Sequence, residues 1–209
     1  MTVCLVNDLG TLIWVENLAS LELHVPLARA GSPETPDSMV FDLDPGDQAN
    51  ILDCAKVALI LRDLLSGLRL ACYVKTSGKK GLHVYVPLNR TETTFKETKE
   101  FSKAVAVIMQ KNYPDLVTAK MAKAYRKEKV FINWSQNDSS KTMVCVYSLR
   151  AREKPVVSFP LAWKELENLT GLGDAEKLRV LHSEAVNRAE KQGDLFQEVL
   201  TIKQKLPYL

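Results

Sequence analysis

The alternation of apolar and polar residues predicts helices and strands interleaved along the chain. Helical spacing covers about residues 8–19, 47–68, 94–111, 162–169 and 174–191, and a last amphipathic piece starts at 195. Strand-like runs occupy 21–25, 39–44, 72–76, 82–88, 130–134 and 142–149, the last two as a pair. Residues 30–38 read as a loop, and 118–129 as a basic helix or loop. This order predicts an α+β fold, one domain over 1–209, with an antiparallel or mixed sheet covered by helices on one face and open to a ligand on the other.

The strand at 39–44 ends in two carboxylates. Three apolar residues lead into Asp42 and Asp44, and Pro45-Gly46 then ends the strand. Because side chains alternate along a strand, the two carboxylates project from the same face. Paired hard oxygen ligands of this kind suit Mg²⁺ or Mn²⁺. A polar strand end running into a turn would give the same pattern, so this motif alone leaves both interpretations open.

Composition excludes several classes of protein. The 209 residues carry a formal net charge of +3 and are 46% hydrophobic, which is ordinary for a globular protein. No apolar run approaches the roughly 20 residues of a membrane span. No basic-then-apolar signal opens the chain, so a cytoplasmic, nucleoid-associated protein without a membrane partner is expected. The four cysteines are irregularly spaced and predict reduced core residues, with neither a zinc site nor a disulfide framework.

The distribution of basic residues says more than their number. Three clusters of basic residues lie near the segments predicted to neighbour the carboxylate strand. The first contains Lys120, Lys123, Arg126, Lys127 and Lys129, the second Lys79 and Lys80, and the third Arg150 and Arg152. Such clusters are most often solvated surfaces. Their position here favours a polyanionic ligand.

The loop between the strands at 72–76 and 82–88 has features of a phosphate-binding loop. Gly78 and Gly81 allow close approach of the backbone to a ligand, and successive N–H groups can form an anion nest. Ser77 adds a hydroxyl, Lys79 and Lys80 add charge, and His83 follows at the start of the next strand. The loop predicts a triphosphate site. It does not fit the Walker P-loop pattern, and an ordinary hairpin loop remains the alternative.

In the strand at 130–133, as in the carboxylate strand, apolar residues lead to a polar side chain at the strand end, which here is Asn133. A metal-dependent phosphoryl transferase would use a third carboxylate at this place to complete the shell of one metal. Lys141 and Arg150 would place two cations on the predicted strand pair that carries Asn133, and Arg is well shaped for phosphate.

Six blocks of sequence together resemble one family, the primase-polymerase domains of prokaryotic non-homologous end joining, which include the polymerase part of LigD and its stand-alone relatives. In order they are Val-Asn-Asp-Leu-Gly-Thr-Leu-Ile-Trp (6–14), Leu-Glu-Leu-His (21–24), Phe-Asp-Leu-Asp-Pro-Gly (41–46), Lys-Thr-Ser-Gly-Lys-Lys-Gly-Leu-His-Val-Tyr-Val-Pro-Leu (75–88), Asn-Trp-Ser-Gln-Asn (133–137) and Tyr-Ser-Leu-Arg-Ala-Arg (147–152). They cover nearly the whole chain at family-like spacing.

The resemblance implies an RRM-like core of the archaeo-eukaryotic primase superfamily with a two-metal site for Mn²⁺ or Mg²⁺. The resemblance also implies a role for individual residues. Asp42 and Asp44 would ligate the metals, with Asn133 in the position of the third ligand, and His24 would lie near the sugar. The residues implied in phosphate binding are Ser77, Lys80, His83 and Arg150, with Lys141 a weaker candidate, and those implied in DNA contact are Arg126 and Lys127. The implied partners are broken or overhanging DNA, nucleoside triphosphates, Ku and an ATP-dependent DNA ligase.

The chain departs from the family in two respects. The family has Asp where this chain has Asn133, and Asp138 is a poorly placed substitute. Family members also carry a further N-terminal segment that supplies basic residues for a 5′-phosphate and aromatics near the base, and this sequence is expected to lack it.

The sequence therefore leaves three functions to distinguish. The first is template-dependent addition of nucleotides, preferentially ribonucleotides, to a 3′-OH at a DNA end, weak or absent because of Asn133. The second is a non-catalytic relative that binds DNA ends and nucleotide. The third is a HAD-like phosphatase, which Asp-x-Asp after an apolar strand also fits but which lacks matching downstream residues.

Overall fold

The structure is a computed structural model and describes residues 4–208. Its α-helices are α1 (Leu9–Asn17), α2 (Ile51–Gly67), α3 (Phe95–Asn112), α4 (Trp163–Leu172) and α5 (His182–Gln192). Its strands are β1 (His24–Pro26), β2 (Ser38–Pro45), β3 (Tyr73–Thr76), β4 (Leu82–Pro87), β5 (Val117–Thr118), β6 (Val130–Asn133), β7 (Thr142–Val144), β8 (Leu149–Arg150), β9 (Val156–Val157) and β10 (Pro160–Leu161). The predicted α+β class is confirmed.

A six-stranded mixed sheet organises the fold, in the order β10-β3-β4-β2-β6-β5. Its neighbours are antiparallel except β5 and β6, which run parallel. The carboxylate strand β2 lies in the interior of the sheet, where Asp42 is opposite His83 of β4 on one side and Asn133 of β6 on the other. The register therefore sets these three side chains next to one another.

One face of the sheet packs on α2 and α3 and forms the main core. Phe41 and Leu43 of β2 point into this core and are fully buried, so Asp42 and Asp44 must point to the opposite face. Both helices begin with a capping box, in which Asn50 and Thr94 accept backbone N–H groups. Satisfying these otherwise unpaired donors fixes where each helix starts.

The other face is only partly open, which corrects the predicted open face. The β1–β7 ribbon and the C-terminal segment cover one end of it with a second apolar cluster that includes Leu27, Val40, Tyr85, Met143 and Phe196. This face is covered because Val40 and Tyr85 need apolar contacts there. Side chains alternate along a strand, so these two point away from the main core that their strand neighbours face. The uncovered part of this face is the part that carries Asp42.

Several predicted elements differ from those observed. The runs at 130–134 and 142–149 do not pair with each other: β6 pairs with β2 and β5, and β7 pairs with β1. A 3₁₀ turn at Trp134–Gln136 redirects the chain between them. Arg150 therefore lies on β8, which pairs with β9, and not on the strand pair of Asn133.

The remaining differences concern short elements. The predicted basic segment overlaps β5 at Thr118 and contains a 3₁₀ turn at Lys123–Tyr125, and α5 begins at His182 where 174 was predicted. The predicted amphipathic helix after 195 is only a 3₁₀ turn at Gln197–Leu200. Two-residue strands such as β8, β9 and β10 are too short to produce a periodic pattern. Across residues 4–208, none of the helices combines the length and apolar character needed to span a bilayer.

Candidate nucleotide and metal site

A cavity of about 370 Å³ lies on the uncovered face of the sheet, between β2, β4 and the β1–β7 ribbon. Seven predicted site residues line it: His24, Asp42, Asp44, Ser77, Lys80, His83 and Arg150. Its wall also contains Lys79, Gln136, Thr142, Met143, Val144 and Arg152. The structure thus gathers residues far apart in sequence into one polar cavity.

Asp42 is buried and accepts from several donors. Its Oδ2 lies 3.2 Å from Asn133 Nδ2 and 3.4 Å from Gln136 Nε2, and its Oδ1 lies 3.4 Å from His83 Nε2. Burial raises the pKa of Asp42. The interactions with these three partners, of which His83 has the largest effect, lower the pKa by more, so it lies below its usual value. Burial and the nearby Lys75 lower the pKa of His83 to about 4, so His83 is neutral at pH 7 and contributes to Asp42 mainly as a hydrogen-bond donor.

Asp44 is in the opposite situation. Burial, followed by the negative charge of Asp42, raises its pKa to about 6, and Arg126 only partly opposes this. Two carboxylates on one face, one of them destabilised by the other, fit a divalent cation between them. Asp42 and Asp44 could therefore hold one divalent cation, and phosphate oxygens of a ligand would complete its shell.

Asn133 does not offer a ligand in its present orientation. Lys141 Nζ donates to Ser135 Oγ at 2.9 Å, Ser135 Oγ donates to Asn133 Oδ1 at 2.8 Å, and the Asn133 amide nitrogen then faces Asp42. An ammonium group can only donate, so Lys141 fixes the direction of the whole chain of hydrogen bonds. Within residues 4–208 no cluster of three or more His, Cys, Asp or Glu side chains suited to a metal is present. The residues present thus do not fit a second cation unless the Asn133 amide rotates.

The loop between β3 and β4 is organised by a side chain. Ser77 Oγ accepts from the backbone N–H groups of Lys79 at 3.2 Å and Gly81 at 3.1 Å, which leaves fewer free N–H groups for the predicted anion nest. Gly78 has φ +67°, and a Cβ there would lie 2.4 Å from Arg150 Cγ. Only glycine allows the loop to pack this tightly on Arg150.

Arg150 is buried in the wall of this cavity. Its Nη1 lies 3.4 Å from Glu22 Oε2, yet neither Nη1 nor Nε makes a well-aligned hydrogen bond with a residue in 4–208. Burial lowers its pKa, although a guanidinium stays charged at neutral pH. A buried cation with unused donors fits an anionic ligand.

The structure does not bring the remaining predicted residues into the cavity wall. The Arg126 guanidinium lies 3.7 Å from the Phe131 ring centroid and donates to the Met121 carbonyl, and Lys127 is exposed 4.0 Å from Glu128. A Cβ on Gly46 would fall 1.7 Å from the Arg126 carbonyl oxygen, so the basic segment lies directly against the end of β2. Lys141 reaches Asp42 only through the hydrogen-bond chain, whereas Asn133 contacts Asp42 directly from outside the cavity lining.

Gln136 and Lys75 were not predicted as site residues. Gln136 carried no signal beyond its place in the block 133–137. Lys75 is completely buried, and its Nζ donates to the Val144 carbonyl at 3.0 Å and to Ser158 Oγ at 2.6 Å. Burial lowers its pKa to about 7. One ammonium group thus joins β3 to β7 and to the segment after β9.

The titration of Lys75 predicts a pH-dependent stability. With a folded pKa near 7 and an ordinary value of 10.5, the unfolded chain binds the extra proton between these limits. Stability from this group therefore rises with pH across that window, by at most about 1.4 kcal/mol per pH unit. In urea unfolding at pH 7 to 9, Lys75→Met should lose this rise and Lys164→Met, at an exposed site, should keep it. Parallel curves for both variants would contradict the assignment.

Similar proteins identify the family to which this chain belongs. The family model described as LigD, primase-polymerase domain, matches residues 1–196. The multifunctional non-homologous end joining DNA repair protein LigD of Mycobacterium tuberculosis is 37% identical over 203 residues, covering 93% of this chain and 26% of that protein. The bifunctional non-homologous end joining protein LigD of Bacillus subtilis is 34% identical over 162 residues, covering 78% of this chain and 26% of that protein. The chain thus spans about a quarter of the length of these relatives.

A solved structure supports the same relationship. The polymerase domain of Mycobacterium tuberculosis Ligase D, in complex with DNA, matches with a TM-score of 0.84 and 36% identity, covering 95% of this chain and 70% of that chain. The chain belongs to the LigD primase-polymerase domain family.

Proposed function

We propose that this domain is a nucleotidyl transferase that adds nucleotides, preferentially ribonucleotides, to a 3′-OH at a broken DNA end during non-homologous end joining, copying a template strand. The observation that carries the proposal is the cavity in which Asp42 and Asp44 stand beside Arg150, which has unused donors, and beside the loop 77–81. The names of its relatives support the repair process, and the solved polymerase domain in complex with DNA supports DNA as the substrate. Family membership removes the phosphatase alternative.

The residues of the cavity have separate roles in this proposal. Arg150, Ser77 and Lys80 bind the phosphates of the incoming nucleotide, His83 holds Asp42 in place, and His24 lies on the β1 side, where the sugar would be. A bound Mg²⁺ or Mn²⁺ would supply charge stabilisation at the reacting phosphate. Arg126 and Lys127, at the end of β2, contact the DNA. Ku and an ATP-dependent DNA ligase are the proposed partners in a cytoplasmic, nucleoid-associated complex.

A second candidate function is a non-catalytic relative that binds nucleotide and DNA ends. The orientation of Asn133 favours it, because the amide donates to Asp42 where a catalytic site would need a metal ligand. A primer-extension assay with Mn²⁺ on DNA with an overhang, run beside nucleotide-binding measurements, separates the two. Weak extension with firm nucleotide binding supports the transferase, and binding without extension supports the second function. Absence of nucleotide binding would contradict both.

Nucleotide and DNA binding should respond to different residues. Ser77→Ala removes a hydroxyl in the cavity wall that also holds two loop N–H groups, so nucleoside triphosphate binding should weaken by about tenfold while DNA binding stays. Arg126→Ala should weaken DNA binding and reduce its salt dependence, and should spare the nucleotide. Calorimetry for the nucleotide and fluorescence anisotropy for the DNA measure the two affinities.

The control for this pair is Ser139→Ala, at an exposed site outside the cavity. It should change neither affinity. Equal losses of both ligands in Ser77→Ala and Arg126→Ala would argue against separate sites.

A further inference from the structure

The nucleotide cavity borders a second, larger depression. Lys79 and Arg152 form part of the cavity wall, and Arg152 also lines a groove of about 980 Å³ between residues 152–156 and 176–184. A narrow crevice behind Gly78 touches both Lys79 and Arg152 and reaches Arg179 on the groove side. The two depressions are therefore adjacent and share Arg152 as a lining side chain.

Three cations along this path are available to a ligand. They are Lys79, Arg152 and Lys154, which are exposed and form no ion pair with another residue in 4–208. Arg152 also lowers the pKa of Arg150, so its positive charge acts on the cavity itself.

The carboxylates of the groove do not neutralise these cations. Glu176 lies 3.0 Å from Arg179, and Glu184 lies 3.5 Å from Arg188, so both already have a basic partner. Glu153 is the one groove carboxylate without such a partner in 4–208. The path from the cavity outward therefore keeps an excess of positive charge, which attracts anions.

The walls also indicate which anion fits. Among the described residues, neither the cavity nor the groove is lined by Phe, Tyr or Trp, the side chains on which nucleic-acid bases stack. The groove shares Arg152 with the cavity in which Arg150 and Ser77 are proposed to bind the phosphates of a nucleotide. A continuing chain of phosphates matches these features better than a nucleic-acid strand does.

We propose that Lys79, Arg152 and Lys154 bind phosphate groups beyond the third phosphate of a nucleotide, so that the site takes nucleoside tetraphosphates and inorganic tripolyphosphate. The proposal rests on the proposed nucleotide site, because it assigns the groove to the far end of the same ligand. It makes the length of the phosphate chain a determinant of affinity.

Calorimetric titration with Mg²⁺ present tests this with three probes: ATP, adenosine 5′-tetraphosphate and inorganic tripolyphosphate. In the unmodified protein the tetraphosphate should bind about tenfold more tightly than ATP, as expected for added charge-assisted hydrogen bonds. The double variant Arg152→Ala/Lys154→Ala removes two of the three cations and should lose most of this preference. The control Lys164→Ala/Lys191→Ala removes the same charge from exposed sites on α4 and α5 and should keep the tenfold preference.

The outcomes separate this inference from the proposed function. Equal binding of ATP and tetraphosphate by the unmodified protein would overturn the inference, as would an undiminished preference in the double variant. If ATP does not bind, the nucleotide proposal fails, and the groove assignment stands only if the double variant alone loses tripolyphosphate affinity. Failure of tripolyphosphate to bind as well would overturn both.

Discussion

Asn133→Asp should raise primer extension by orders of magnitude, corresponding to roughly 3–5 kcal/mol of transition-state stabilisation. The substitution replaces an amide that donates to Asp42 with a carboxylate that accepts from Ser135 and can face a cation. Nucleotide affinity should change little, because Asp42, Asp44 and Arg150 are retained. Extension rates with Mn²⁺ and calorimetric nucleotide affinities measure the two effects.

The same variant should be less stable without metal. A third carboxylate beside Asp42 adds like-charge repulsion, which a divalent cation relieves, so the melting temperature should fall in EDTA and recover with Mn²⁺. The control Asn187→Asp, on the exposed surface of α5, should show neither the rate increase nor this metal dependence. Efficient extension by the unmodified chain, unchanged by Asn133→Asp, would mean that position 133 is not a ligand position.

Asp42→Ala should abolish binding of a divalent cation at the cavity, measured by the electron paramagnetic resonance of Mn²⁺. It should also lower the free energy of unfolding, by about 1–3 kcal/mol, because the donors of Asn133, Gln136 and His83 all lose their acceptor. Relief of carboxylate repulsion acts in the other direction but is the smaller effect at this buried position. Urea unfolding without metal at pH 7 measures the change.

Asp44→Ala should also remove the cation but have the opposite effect on stability. Because the folded pKa of Asp44 is about 6 and its ordinary value is 3.8, the folded protein binds the extra proton between these values, and stability falls as pH rises through this window. At pH 7 the charge of Asp44 is therefore a cost that the variant removes. The exposed Asp47→Ala is the control. Unchanged Mn²⁺ binding in either cavity variant would refute the metal assignment.

The parts of the site that were predictable from sequence are those that one strand or one loop carries. The period of two along β2 is sufficient to put Asp42 and Asp44 on one face, and the composition of the loop 75–83 is sufficient to favour phosphate. The apolar stripes of α2 and α3 were also predictable. The capping box at Thr94 predicted the start of α3, whereas α2 begins after the cap Asn50 and not at 47. These features depend on residues close together in the chain.

The rest depends on contacts between distant residues. No local pattern pairs β7 with β1, or indicates that Lys75 reaches Val144 and Ser158. The donor direction at Asn133 follows from Lys141 through Ser135, which is a property of the folded arrangement. Arg152 was visible as part of a cluster, but only the shape of the surface connects it to the cavity.

The link between Lys75 and Ser158 has a consequence for the order in which the domain forms during synthesis. The carboxylates, the loop and His83 all emerge from the ribosome before residue 90, yet the partners of Lys75 lie at 144 and 158. Such long sequence separations make the closing contacts slow, since loop closure must precede them. A nascent chain that has made only the first three strands of the sheet would carry an unpaired lysine on an unfinished surface. The cavity therefore becomes complete late in translation, after β9 has left the ribosome.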